Sequence, residues 1–340
     1  MDENILLALR ALHLGDLLVA VPALRALRRA HPEHRIVLAT PQAMAPLVEW
    51  TGAVDELLPT PDAAGLRWDR PPPDLVVNLH GTGPQSHRAL DALAPRRRVG
   101  FRAPGWDGPA WDEVAARHPH ERQRWCALLE HHSVPADPTD LRLPTPGQVD
   151  GRRAGAPVLV HPGARFGAKR WPAPRFGELA AALDRAGRHV LLTGTVDERP
   201  LARSVALIAG LPAHRVLAGR TDLVRLCSLV AQAAVVVSGD TGIAHLAAAF
   251  GTPSVTLFGP VDAAQWGPPP DGPHLALGDA TVRRGDPFAD DPDPALLAVG
   301  VGEVLRAIAA AQRLSRGPMN EGSADERPSS GHRAGGRTGC

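Results

Sequence analysis

Lysine is almost missing from this chain. Of 37 basic residues only Lys169 is a lysine and the others are arginine, while tyrosine is absent. A base composition that favours Arg, Ala, Gly and Pro codons accounts for the arginines. It also makes the surviving lysine informative, because a compact ammonium and a planar guanidinium are not interchangeable in a tight site. Cysteine is scarce too. Cys126, Cys227 and Cys340 lie far apart with no CxxC, which excludes a readable disulfide framework or zinc site and fits a reducing cytosol. There is no excess of charge: the formal balance is +1, which gives no electrostatic ground for a nucleic-acid partner. The triplet Arg96-Arg97-Arg98 reads as a solvated loop. Long apolar runs are lacking as well. The start, MDENILLALRALHLGDLL, has no basic n-region and is broken by Arg10, His13 and Asp16. It reads as neither a signal peptide nor a membrane span, so a cytoplasmic place is expected, with at most peripheral contact at the inner face of the membrane. No GxGxxG follows a strand, which disfavours a nicotinamide enzyme, and GxSxG, HExxH, EF-hand and Walker patterns are missing.

What is present is a rhythm. A length of 340 residues suggests two domains. Apolar runs at 4–10, 35–40 and 74–80 read as strands, and 22–30, 44–50 and 84–94 as helices, with Pro22 in a first turn. Residues 133–157 hold five prolines and no apolar period. The rhythm restarts with strands at 158–161, 189–194, 215–219, 235–238 and 254–259, and helices at 174–187, 197–210, 222–233 and 241–250. The expectation is α/β with parallel sheets. The expected division is 1–135, a Pro-rich linker 136–157, a second domain 158–293, a final helix 294–314 interrupted near Gly300-Gly302, and a disordered tail 315–340.

Four stretches at strand ends carry chemistry. In VVVSGDTGIAHLAAAF, a strand stops at Ser238-Gly239-Asp240-Thr241-Gly242 and a helix begins. Helix N-termini at the carboxyl ends of parallel strands offer N–H groups and positive potential to a phosphate. Gly239 and Gly242 would let a ligand approach, Asp240 would cap the helix, and His245 shares a face with Thr241. The plain alternative is a good capping turn with a packed histidine. HPGARFGAKRWPAPRF (161–176) places Arg165, Lys169 and Arg170 on a loop loosened by Gly163 and Gly167, fit to wrap a diphosphate or to be a solvated basic loop. LHLGDLL (12–18) puts Gly15-Asp16 beyond the first strand, as a general base toward a hydroxyl or as a helix N-cap. In NLHGTGPQS (78–86), Asn78, His80 or Gln85 could hold a polar substrate or simply make a turn.

The order of these pieces, with GRTDL at 219–223 and SGDTGxxHLAAAxGTPxVxLFGP, resembles glycosyltransferase family 9, the family of the ADP-heptose:lipopolysaccharide heptosyltransferases, over about residues 5–314. The resemblance implies a GT-B fold, two Rossmann-like doubly wound parallel-sheet domains facing a cleft. The first domain would take the acceptor, the second the donor, and the final helix would pack back on the first. It implies Asp16 as catalytic base and Lys169 at the donor phosphates. Gly163, Arg165, Asp240, Thr241, Gly242 and His245 would line the diphosphate site, with Gly15, Asn78, His80 and Gln85 on the acceptor or sugar side. It further implies an inverting transfer without metal or cofactor, from a nucleoside-diphosphate sugar, ADP-heptose, to a lipopolysaccharide-type acceptor or another cell-envelope glycan. A sugar-nucleotide 2-epimerase and a catalytically silent nucleotide-sugar-binding module are the competing readings.

Overall fold

The computed structural model describes residues 4–146 and 155–316. The linker residues 147–154 and the tail from 317 lie outside the described residues, so the expected disorder of the tail does too.

The first half runs β1 (Ile5–Leu9), α1 (Leu14–Ala30), β2 (Arg35–Thr40), α2 (Ala45–Thr51), β3 (Glu56–Pro59), β4 (Leu75–Asn78), α3 (Pro84–Asp91), β5 (Arg97–Val99), α4 (Trp111–Arg117) and α5 (Glu121–His131). Its five strands pair in parallel in the order β3-β2-β1-β4-β5. The second half runs β6 (Val158–His161), α6 (Ala173–Arg185), β7 (Val190–Leu192), α7 (Arg199–Ala209), α8 (Leu223–Gln232), β8 (Val235–Gly239), α9 (Gly242–Phe250), β9 (Ser254–Leu257), α10 (Ala263–Trp266), β10 (His274–Leu277), α11 (Pro294–Ala298) and α12 (Val301–Leu314). Its strands pair in parallel in the order β10-β9-β8-β6-β7.

Continuous apolar strands are what a parallel sheet covered on both faces requires. Along β1 the side chains alternate between two cores: Leu6 and Ala8 face one, Ile5, Leu7 and Leu9 the other. In β6, Val158 and Val160 belong to the core of the second half. Leu159 instead joins the cluster that holds Leu6 and Ala8, together with Ile243 and Leu246 of α9. One apolar cluster therefore spans both halves, with α1 packed on α9 inside it.

Several expectations change. Helix α1 begins at Leu14, not near residue 22, and Pro22 lies well inside it. Leu17, Leu18, Val19 and Val21 are all buried, and their packing outweighs the hydrogen bond that proline removes. Residues 215–219 form no strand: Val216 makes one bridge to Leu192, and Gly219 turns the chain at φ 65°. Strand β10 lies in the stretch read as loop. The final helix, interrupted between 298 and 301 as expected, does not return to the first sheet. Val304, Ala307 and Ile308 of α12 are buried in the core of the second half, where the helix packs against α6 and β9. Part of the stretch read as linker is pinned in place. Leu143 N–H donates to Ala249 O at 3.1 Å, and Arg25 of α1 donates to Arg142 O at 2.7 Å.

Candidate functional site

In each sheet the chain reverses its direction of growth beside a central strand: between β1 and β4, and between β6 and β8. Such switch points open a crevice at the carboxyl ends of the strands. The stretches around Asp16, His80, Lys169 and Asp240 all leave those ends.

The two crevices meet where the first turns of α1 and α9 cross. A Cβ on Gly242 would lie 2.8–2.9 Å from the Leu14 side chain, and one on Gly15 would lie 2.9 Å from His245 Cδ2. The glycine of SGDTG at 242 therefore admits the other half of the protein. Gly239 likewise admits the main chain of Lys169, whose carbonyl a Cβ would approach to 2.8 Å. Both were expected to make room for a ligand; the structure gives each a neighbour from this chain.

Asp16 is the third residue of α1, not its cap. Its Oδ2 accepts from His13 N–H at 3.2 Å, and its side chain stays 24% exposed. Asp240 does not cap α9 either. Thr241 holds the cap position, and no side chain caps α9 among the described residues. Asp240 instead accepts from Lys169 Nζ at 2.7 Å, with the carboxylate largely buried and the lysine half-buried. This leaves the N-terminus of α9 open toward the crevice. His245 follows on the same helix, edge-on to Trp266 at 5.9 Å. Burial holds its pKa below the usual histidine range, against the pull of Asp240 and Asp16.

The other candidates divide. Exposed Arg165 reaches across to the His13 ring of the first half. Gly163 faces Glu198, whose carboxyl carbon a Cβ would meet at 2.2 Å. Glu198 lies 3.7 Å from His161 Nε2, and His161 Nδ1 lies 3.1 Å from Thr193 Oγ1. His80 is half-buried, and burial with the nearby Arg10 lowers its pKa. Asn78 is a correction. It is wholly buried, donates to Ser86 Oγ at 3.0 Å and accepts from His80 N–H at 3.1 Å, so its side chain is committed to the turn rather than open to the crevice. Gln85 is exposed on α3, its amide oxygen 2.7 Å from where a Cβ of Gly83 would stand.

Sequence reasoning missed Arg10 and Glu121, which form a buried charged group behind Asp16. Arg10 Nη2 lies 3.5 Å from Asp16 Oδ1 and 3.9 Å from Glu121 Oε1. Burial raises the Glu121 carboxyl and lowers the Arg10 guanidinium. A charged residue directly after an apolar strand was the available signal.

Residues 106–274 match the model of glycosyltransferase family 9 (heptosyltransferase). Lipooligosaccharide heptosyltransferase 2 of Haemophilus influenzae is 39% identical over 112 residues, 32% of this chain and 32% of that protein. The first curated relatives are thus matched over about a third of their length. Lipopolysaccharide heptosyltransferase 1 of Pseudomonas aeruginosa is 28% identical over 81% of this chain and 82% of that protein. The solved structure of Escherichia coli ADP-heptose lps heptosyltransferase II superposes with a TM-score of 0.70 at 21% identity, covering 92% of this chain and 99% of that one, which establishes the two-domain GT-B fold. The chain belongs to glycosyltransferase family 9.

Proposed function

We propose that the protein transfers a heptose from ADP-heptose to a lipopolysaccharide-type acceptor, with inversion at the anomeric carbon. The observation that carries this reading is the crossing of α1 and α9. It brings a half-exposed carboxylate, Asp16, to the same crevice as a lysine, Lys169, and an uncapped helix N-terminus.

Asp16 takes the proton from the acceptor hydroxyl as its oxygen attacks the sugar C1. The bond from C1 to the diphosphate oxygen breaks, and its electron pair leaves with the nucleoside diphosphate. Lys169 and the first N–H groups of α9 stabilise the charge that gathers there. Arg165 adds a second cation at the rim. The positive charge thus comes from the chain itself, and transfer is expected to persist in EDTA. Asp240 keeps Lys169 aimed before the donor arrives. Heptosyltransferases among the relatives support the sugar, and the ADP-heptose named for the solved relative supports the nucleotide. Among the described residues no helix is long and apolar enough to cross a membrane. A lipid-linked acceptor is therefore proposed to be met at the inner face of the membrane.

Calorimetry with ADP, UDP, GDP and ADP-heptose, joined to a transfer assay on heptose-free lipopolysaccharide, tests this. ADP-heptose should bind and react. Lys169→Ala should weaken ADP binding, and Asp16→Asn should abolish transfer with ADP affinity kept. Full transfer by Asp16→Asn would sink the mechanism, and a preference for UDP or GDP would replace the donor.

A further inference from the structure

Arg10 directly follows β1 and its side chain is 1% exposed. A guanidinium keeps its charge in a protein, and its five N–H groups need acceptors when buried. Nε donates to the main-chain oxygen of Asp16 at 3.0 Å and Nη1 to the carbonyl of Leu79, while Nη2 faces the carboxylates of Asp16 and Glu121. The Trp125 ring covers the group, its centroid 4.7 Å from Cζ. Glu121 is itself buried at the start of α5 and gives its other oxygen to Arg124 Nη1 at 3.1 Å.

One cation thus holds Asp16 at two points, main chain and carboxylate. The double hold fixes the first turn of α1 and the direction of its acid together, which is what a base must have to stay within reach of a bound hydroxyl.

We propose that Arg10, steadied by Glu121 from α5, is the positioning residue for Asp16, aiming its carboxylate at the acceptor hydroxyl. This rests on the reading of Asp16 as the base. The other titratable groups facing the pair are His13 at the start of α1, His80 after β4, Arg124 on α5 and His245 on α9.

The test is transfer of heptose from ADP-heptose to heptose-free lipopolysaccharide by wild type, Asp16→Asn, Arg10→Lys, Arg10→Met and Glu121→Gln, each across a pH series. Arg10→Lys keeps the charge but loses the fork, so kcat should fall between about tenfold and 100-fold with both KM values and the acid limb in place. Arg10→Met also removes the charge, and its acid limb should move to higher pH. Glu121→Gln preserves shape and covers the case in which Arg10→Met fails to fold; its kcat should fall without a change in KM. Folded Arg10→Lys and Glu121→Gln with wild-type kcat and pH profile, beside an inactive Asp16→Asn, would overturn the positioning role and leave the base intact. Wild-type turnover by Asp16→Asn would overturn the base, and the inference with it.

Discussion

Lys169 and Asp240 meet at 2.7 Å at the carboxyl ends of β6 and β8. An ammonium has three donors on one compact head, so it can keep its carboxylate and still offer N–H groups to a phosphate. A guanidinium spreads its donors over a plane and needs more room. In Lys169→Arg the charge is conserved but the dissociation constant for ADP should rise about tenfold, the worth of one charge-assisted hydrogen bond; an unchanged constant by calorimetry would mean that charge alone suffices. Asp16 and Lys169 were readable because they stand at strand ends and, for Lys169, because composition isolates it. Arg10 carried only the weaker signal of a charge directly after an apolar strand, and nothing but burial separates Glu121 from the other glutamates. Gly239 and Gly242 were read as places where a ligand comes close. The approaching group is the Lys169 carbonyl in one case and Leu14 in the other, which no pattern within SGDTG reveals.

At the level of elements, the first turns of α1 and α9 make the centre. A Cβ added at Gly242 would meet Leu14 at its Cβ as well as its Cγ and Cδ2, so the clash cannot be relieved by a side-chain rotation alone. Gly242→Ala should cost about 1–3 kcal/mol of stability, as overpacking does, and should lower kcat by pushing the halves apart. A thermal melt and a turnover assay check both, and a wild-type melt would mean that the crossing is looser than it looks. The strands of the two switch points were legible from their unbroken apolar runs. Helices α4 and α5 and strand β10 were not. They lie in Pro- and Arg-rich stretches whose apolar residues follow no clean period, and only packing against α1 or β9 gives them their form. The start of α1 was misplaced because Pro22 reads locally as a beginning, whereas burial of the turn before it decides.

Across the whole molecule, His120 ties the halves. Its Nδ1 accepts from Arg122 N–H at 3.0 Å, so the proton sits on Nε2, which donates to Gly267 O at 2.8 Å. Burial pushes the His120 pKa down to about 4. A histidine with a depressed folded pKa gives stability that is complete above its unfolded value of about 6.5 and is lost as pH falls toward the folded value. The melting temperature of wild type should therefore drop between pH 6.5 and about 4 more steeply than that of His120→Gln; parallel curves would place the acid sensitivity elsewhere.

Within the described residues the chain passes from one sheet to the other once, because α12 stays on the second. A second crossing would have drawn a fixed axis through the protein. A single passage draws none, so the surfaces where the halves touch decide how they sit. The central one is the crossing of α1 and α9. A donor bound as we propose would enter that bearing itself, so that its occupancy and the tilt of one half against the other become a single variable, measurable as a change in the shape of the molecule.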